Sequence, residues 1–540
     1  MRKTSLAAAG VKLSALTLCS RVLGLIREMT KAAFLGTSAL ADAFGVAFML
    51  PNLFRRLFAE NSVSVAFIPT FRGYLEKNSK EETQEFINAT FTLVSFLTAV
   101  VVVLGIIAAP FIVPLFADEN SGGVLDEMTL LTRIMFPYLF VISIAALLQG
   151  ILNSLKIFSP SGLTPVFFNL IVILSTYLLS PFFANPARAM SVGVILGGTV
   201  QALFQLPFVI KNGWLLSFTS LKKAFTNPGT KKVIALVLPT VIGMAAYQLN
   251  DVVSTSLAGK AGTGVVSSLQ YSLRLQELIL GIFAVSIGTV ILPDLSGLAQ
   301  SEKWEEFNRM LGQAVKIIAL ITIPVTFFAL VYGENIIKLV YQSKRFTDES
   351  VLLTKQAFEW HIAGLYFIAL NRIMAPAFYA QGNTKLPTLA GILGFVVNMI
   401  LASILVNFFA GSGIAFALSA ASFANTVLLF AFLKKCPNVS ALKIAKSTLA
   451  YTLKLVLLSV IAAVPVWYLR PVLLVPFAHC NRFIAQGVPL AIAVCIFAVI
   501  GVALLLLTKD PVIAVIKNAV LRKLGRGKNT TKSTSTTEEN

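Results

Sequence analysis

The sequence predicts an all-α polytopic membrane protein with fourteen transmembrane helices, arranged as two parallel six-helix lobes followed by two further helices. Three observations carry this expectation. The 540-residue chain is 56% hydrophobic and 13% charged, where a soluble protein carries about twice that charge. Apolar runs of about 20 residues, long enough to cross a bilayer as a helix, recur from end to end. Two stretches of the chain also repeat one another at a nearly fixed offset.

The spans lie at 11–36, 42–70, 87–115, 129–152, 160–182, 189–210, 233–258, 264–296, 312–332, 353–379, 386–408, 412–433, 448–468 and 484–507. The opening MRKTSLAAAGVKLSALTLC imitates a secretory signal. Lys12 interrupts its apolar region and no clean cleavage site follows, so it is read as the start of the first helix. Between the spans, one set of loops is basic: Arg72, Lys77, Lys80, Lys211, Lys222, Lys223, Lys231, Lys232, Lys434, Lys435, Lys443 and Lys446. The C-terminal segment adds Lys509, Lys517, Arg522, Lys523, Arg526 and Lys528. The other set has few basic residues and includes the acidic ADENSGGVLDE. This asymmetry places both termini in the cytoplasm and accounts for the net charge of +20 as topology, not nucleic-acid binding. The polar tail LGRGKNTTKSTSTTEEN is expected to be disordered, after a basic amphipathic stretch, DPVIAVIKNAVLRKLGR, suited to the inner leaflet.

The repeat shows in matched landmarks. AFIPTFRG and VILPDLSG precede charged loops, and their Pro69 and Pro293 are 224 residues apart. SLKIFSPSGLTPVFFN resembles FYAQGNTKLPTLAGIL, with Pro165 and Pro387 222 apart. Six helices per repeat means that both start on the same side, so the repeats are parallel. The expected domains are an N-lobe at 1–215, a C-lobe at 216–436, helices 13 and 14 at 437–507, and a basic tail at 508–540. A transporter so built binds cargo between its lobes and alternates its opening.

Charges inside the spans point to the cargo. A buried charge costs on the order of 2.5–3.5 kcal/mol even on lenient scales, so such residues face partners or a wet cavity. Arg27, Arg55 and Arg274 all lie far from helix ends. Arg27 and Arg55 lack an acid three or four residues away, and Arg55 shares a face with Asn52. The spacings Glu28–Lys31, Arg56–Glu60 and Arg274–Glu277 each permit a pair within one helix. Guanidinium groups match phosphate oxygens, so converging unpaired arginines suit a phosphate-bearing ligand. The alternative, snorkelling or structural pairing, is expected for Arg56, Arg133, Arg372, Lys316 and Lys338, with Arg21 in between. Asn250 and Asp251 suit either a coupling cation or an arginine of the other lobe, and Pro51 is expected to kink the second helix.

Other chemistries lack their residues. Cys19, Cys436, Cys480 and Cys495 are scattered without metal or redox spacing, and His361 and His479 stand far apart. No nucleotide-binding loop and no nucleophile–base constellation is present, so neither ATP hydrolysis nor enzymatic catalysis is expected.

The blocks SRVLGLIRE, ADAFGVAFMLPNLFRRLFAENSVSVAFIPTF, LRLQELILGIFAVSIGTVILPDLS and APAFYAQGNTKLPT resemble the MurJ (MviN) family of lipid II flippases, in the MOP superfamily. The resemblance runs from about residue 5 to 507, and LPNLFRRLFAE is its most specific block. It implies that the essential arginines of helix 1 fall on Arg21 and Arg27, with the following acid on Glu28, where many members have Asp. It places the acid opening helix 2 on Asp42, the helix 2 pair on Asn52 and Arg55, and the helix 8 pair on Arg274 and Glu277. It further implies an apolar groove on helices 13 and 14 for a polyprenyl tail. In some members Na⁺ binds to polar residues, for which Asp251 and Asn398 are the candidates here. The implied cargo is lipid II, flipped in the bacterial inner membrane with coupling to Na⁺ or the membrane potential. Membrane lipids and cell-wall synthesis proteins are the implied neighbours. The rival within the superfamily is a polysaccharide-lipid flippase, which shares the pyrophosphate; an exporter of organic cations would need acids where this chain has arginines.

Overall fold

The computed structural model describes residues 6–60, 63–117, 122–436, 438–510 and 512, and among them no strand occurs. All fourteen expected spans are helical. They are Leu6–Leu35; Ala39–Phe54, continuing through Arg55–Glu60 and Val63–Phe67 into Ile68–Lys77; Lys80–Ile112; Gly122–Met135 with Tyr138–Ser154; Phe158–Leu179; Pro186–Lys211; Pro228–Lys260; Val265–Gln300; Trp304–Tyr341; Asp348–Ala363 with Leu365–Tyr379; Lys385–Leu433, which holds two; Ala441–Leu474; and Arg482–Leu507. By length and composition alone, eight described helices are able to cross a membrane, or nine if the pair bent by 42° at Gly364 is one broken span. The protein is a multi-pass membrane protein.

Local chemistry explains where the helices start and break. Ser79 and Glu82 form a reciprocal capping box, and Asn185, Asn227 and Asn481 cap later helices through their side chains. The fourth passage is interrupted before Tyr138, where Pro137 supplies no N–H. The eleventh and twelfth spans are two helices within Lys385–Leu433, separated by a kink at the non-helical Ala410 (φ 44°, ψ −127°). The segment 513–540, with most of the amphipathic stretch and the polar tail, lies outside the described residues.

Two compact units emerge. One comprises Met1–Leu275, Val340–Phe358 and Phe395–Leu418; the other comprises Gln276–Leu339, Glu359–Gly394 and Ser419–Asn540. In the first, a core of Phe44, Val46, Met135, Phe136, Tyr138 and Phe168 joins helices of the first repeat to Val265, Leu269 and Ile414 of the second. In the second, Tyr332, Ala462, Val466, Ala493 and Phe497 bind the ninth passage to the last two helices. There Asp510 accepts from Tyr451 Oη at 3.0 Å and Lys454 Nζ at 2.7 Å, closing the end of the last helix. Burial pushes its carboxyl up, but the bonds from Lys454, the Val512 N–H and Tyr451 outweigh this and hold it below the usual range.

The linker between the repeats has a regular attachment. Gln84, Asn88 and Thr92 lie one helical turn apart on Lys80–Ile112. Their side-chain oxygens accept the N–H groups of Leu215, Ser217 and Thr219 at 3.2, 3.1 and 2.9 Å. The repeat of about four residues on the helix thus meets the repeat of two on the extended chain, satisfying alternate backbone donors. Ser220 then caps the short helix Leu221–Thr226. Replacing Asn88 with Ala removes one such acceptor and should cost about 1 kcal/mol locally. Trypsin should then cut faster at Lys222 and Lys223 in the purified protein; an unchanged cleavage rate would show that this ladder does not hold the linker.

Candidate substrate-binding site

The second passage changes its winding where its arginines stand. Pro51 has no N–H and cannot bond back to the turn before it. The helix runs on to Phe54 and then widens into π turns over Arg55–Glu60 and Val63–Phe67. Such insertions re-aim side chains and recur at functional sites. Arg55 Nε donates to Asn52 Oδ1 at 2.7 Å, so the predicted shared face of these two residues is a direct bond. Arg56 points elsewhere. Its Nη1 donates to Asp251 Oδ2 at 3.2 Å and lies 3.5 Å from Gln248 Oε1. The spacing had allowed Glu60 as its partner, but Arg56 reaches across to the other repeat; the Glu60 side chain lies outside the described residues.

The first helix supplies the centre of the site. Glu28 Oε1 is 2.7 Å from Arg27 Nη2 and 3.6 Å from Arg274 Nη2. Arg27 therefore does have an acid, its immediate neighbour, which spacing arguments based on three or four residues overlook. One carboxylate serves two guanidinium groups, one from each repeat. Arg27 and Glu28 are only 14% and 11% exposed at their side chains, whereas Arg274 is 41% exposed. Arg27 also lies over the rings of Phe48 and Phe168, at 5.9 and 5.6 Å, which fixes its direction at little polar cost. Lys31 was expected to pair with Glu28. Instead its Nζ donates to Gln270 Oε1 at 2.8 Å and sits over Tyr271 and Phe44. The nearer arginines leave Glu28 Oε1 committed, and the buried ammonium takes the neutral amide.

Asp42 is buried and has a different task from the arginines. Its two carboxylate oxygens accept the backbone N–H groups of Gly264 and Ser267, at 2.6 and 2.7 Å. These are donors at the start of Val265–Gln300, where a helix end welcomes negative charge. The contact is backed by Thr37 Oγ1 and Ser350 Oγ at 2.7 Å and by Tyr271 Oη donating to the Gly36 carbonyl at 3.0 Å. Close approach needs glycine here: a Cβ on Gly36 (φ +60°) would lie 2.1 Å from the Arg345 carbonyl oxygen, and one on Gly264 (φ +84°) 2.5 Å from that of Thr37. The loops that follow helices 1, 7 and 9 are thereby fastened together at one end of the first unit.

The remaining sequence candidates are dispersed. Arg21 is half-buried on the first helix two turns before Glu28. Glu277 is exposed and falls in the second unit, because Val265–Gln300 passes between units after Leu275. Of the two Na⁺ candidates, Asp251 faces Arg56. Asn398 is buried; its Nδ2 donates to Asn250 Oδ1 at 2.6 Å and Ser254 Oγ at 3.3 Å, while its Oδ1 has no hydrogen-bond partner among the described residues. An orphaned oxygen beside others fits a hard monovalent cation. Among the described residues no cluster of three His, Cys, Asp or Glu exists.

The family model "Lipid II flippase MurJ" matches residues 31–484. The chain belongs to the MurJ family. A probable lipid II flippase MurJ of Treponema pallidum (strain Nichols) is 49% identical over 514 residues, covering 94% of this chain and 97% of that protein. A probable lipid II flippase MurJ of Vibrio cholerae serotype O1 is 34% identical over 430 residues, covering 78% and 81%. A solved lipid II flippase MurJ in an inward closed conformation aligns with TM-score 0.76 at 24% identity, covering 93% of this chain and 99% of that one. An inward-facing MATE multidrug transporter of the MOP superfamily aligns at 0.67 and 13% identity, covering 81% and 98%. The shared architecture is that of the MOP transporters, and MurJ proteins are transporters, not enzymes.

The sequence did not single out Gln270, Phe48 or Phe168, which orient the charged groups from other helices. Only the aromatic spacing on helices 2 and 5 hints at the rings. Chemically, the arrangement offers an anion two guanidinium groups, one from each repeat, that share one carboxylate oxygen. Asp42 provides a separate test. With the native cysteines replaced, Thr37→Cys and Ser350→Cys should form a disulfide, and adding Asp42→Asn should slow its formation severalfold. An unchanged rate would show that the Asp42 bonds do not hold this end shut.

Proposed function

We propose that the chain flips lipid II from the inner to the outer leaflet of the bacterial cytoplasmic membrane by alternating access, with Arg27, Arg55 and Arg274 receiving the pyrophosphate. The observation that carries this reading is the sharing of Glu28 between Arg27 and Arg274. Two guanidinium groups, one from each repeat, meet on a single carboxylate oxygen, and a diphosphate offers both of them further charged oxygens. Arg55, steadied by Asn52 beside the π turn, adds a third fork. The disaccharide-pentapeptide is taken up beside these arginines, and the polyprenyl tail stays in lipid along the last two helices.

Both termini face the cytoplasm in this reading, following the basic loops. The end fastened by Asp42 is then the outer end, and the conformation is closed outward. Rocking one repeat against the other breaks the Asp42, Thr37–Ser350 and Tyr271 bonds together and opens that end. Outward passage of the anionic headgroup is favoured by an inside-negative potential, by about 2.3 kcal/mol per charge per 100 mV. A coupling Na⁺ fits Asn398, Asn250 and Ser254 better than Asp251; when bound it would be coordinated by the orphaned Asn398 oxygen. Cell-wall synthesis proteins are the natural neighbours of such an activity.

Complementation of a MurJ-depleted bacterium tests the reading, with membrane levels checked for each variant. Arg55→Ala should abolish growth at normal membrane level, while Arg56→Ala, which loses a half-exposed ion pair worth about 1 kcal/mol or less, should be milder. Full growth with Arg55→Ala would remove Arg55 from the site. Arg27→Lys should also fail, because an ammonium keeps the charge but loses the paired donors; normal growth would show that charge alone suffices.

A further inference from the structure

Lys31 is a charged group that the proposed headgroup contacts leave unused. It is 5% exposed, on the first helix, one turn beyond Glu28. Its hydrogen-bond partner, Gln270, is neutral and comes from the other repeat. Gln270 in turn lies against Gly45, where a Cβ would come within 2.6 Å of its amide. The ammonium is therefore held in place by a neutral amide and the faces of Tyr271 and Phe44; Glu28 and Asp42 act on it electrostatically, but among the described residues no carboxylate is bonded to it.

We propose that Lys31 is the counter-ion to which Glu28 turns when a pyrophosphate takes Arg27 and Arg274, which makes Lys31 a positioning residue for substrate binding. The inference rests on the arginine reading and deepens it. Glu28 cannot keep its two arginines once phosphate oxygens occupy them, and a carboxylate left facing a diphosphate repels it. A lysine three residues later lies within reach of the released carboxylate on the same helix face. Exchanging Gln270 for Glu28 gives the buried ammonium a charged partner, and the bond from Lys31 to the second repeat is given up in the same step. Binding of the headgroup thus weakens one tie between the repeats, in the sense that favours opening.

A double-mutant cycle on the purified full-length protein in nanodiscs tests this, with undecaprenyl pyrophosphate as the probe. Lys31→Met should weaken probe binding about tenfold in the native background, the size of one charge-assisted hydrogen bond. In a Glu28→Gln background the same substitution should change binding by less than about twofold, because no carboxylate remains to be received. Lys31→Arg, which keeps the charge, should bind within about twofold of the native protein. An equal loss in both backgrounds, or no loss in the native one, overturns the role of Lys31 and leaves the arginine reading standing. Failure of the native protein to bind the probe overturns the arginine reading, and this inference with it. Elution of Lys31→Met as the native monodisperse species, with native thermal stability, separates a binding loss from a folding loss.

Discussion

Glu28 and the two arginines on it set the terms for the rest of this molecule. Three ionised groups inside a membrane protein are tolerable only when they answer one another, since each alone would cost several kcal/mol in that medium. At an effective dielectric of about 20, charges 4 Å apart attract by roughly 4 kcal/mol, enough to hold the cluster but not to balance it. Arg27 and Arg274, one from each repeat, meet on Glu28 Oε1. In the proposed function an incoming anion takes the place of that carboxylate.

The surrounding structure holds this cluster in place. Phe48 and Phe168 hold Arg27 from two sides with their ring faces, which direct the guanidinium without consuming its donors. The π turns after Pro51 separate the directions of Arg55 and Arg56, so that one stays with Asn52 and the other crosses to Asp251. Asp42 uses its charge on a helix start, where backbone N–H groups satisfy it without a cation. Two acids on neighbouring helices thus differ in their partners: Glu28 holds two guanidinium groups, and Asp42 holds backbone N–H groups that tie the loops of the two repeats together. The glycines at 36 and 264 permit the close backbone contact that the second task requires.

Much of this was legible in the sequence. The fourteen spans were visible because hydrocarbon demands long apolar helices, and Pro51 announced the irregularity of the second one. The split at Ala410 was readable as a short break, though not that a single residue would carry it. Membership of the MurJ family followed from motifs such as LPNLFRRLFAE. Pairing was less legible. Spacing rules reach only along one helix, so they offered Lys31 to Glu28 and Glu60 to Arg56. The structure bonds Lys31 to Gln270 and Arg56 to Asp251, both from the other repeat, while the Glu60 side chain lies outside the described residues. The bonds of Asp42 were not legible, because they go to a helix start more than 200 residues away in sequence. The interrepeat ladder of Gln84, Asn88 and Thr92 was hidden for a similar reason: an extended linker shows no period until its partner is known.

The proposed function requires that Arg27 and Arg274 recognise a pyrophosphate by its charge. The most direct measurement compares the affinities of the purified protein for undecaprenyl pyrophosphate, undecaprenyl phosphate and undecaprenol, which share a tail and differ in headgroup charge. Affinity should fall stepwise along that series, by about a hundredfold from first to last, as expected when charge-assisted bonds worth about 1.5–3 kcal/mol each are removed. The series should flatten when Arg27 and Arg274 are both replaced by Ala. Equal binding of all three lipids by the native protein would contradict the account, because the arginines would then be structural.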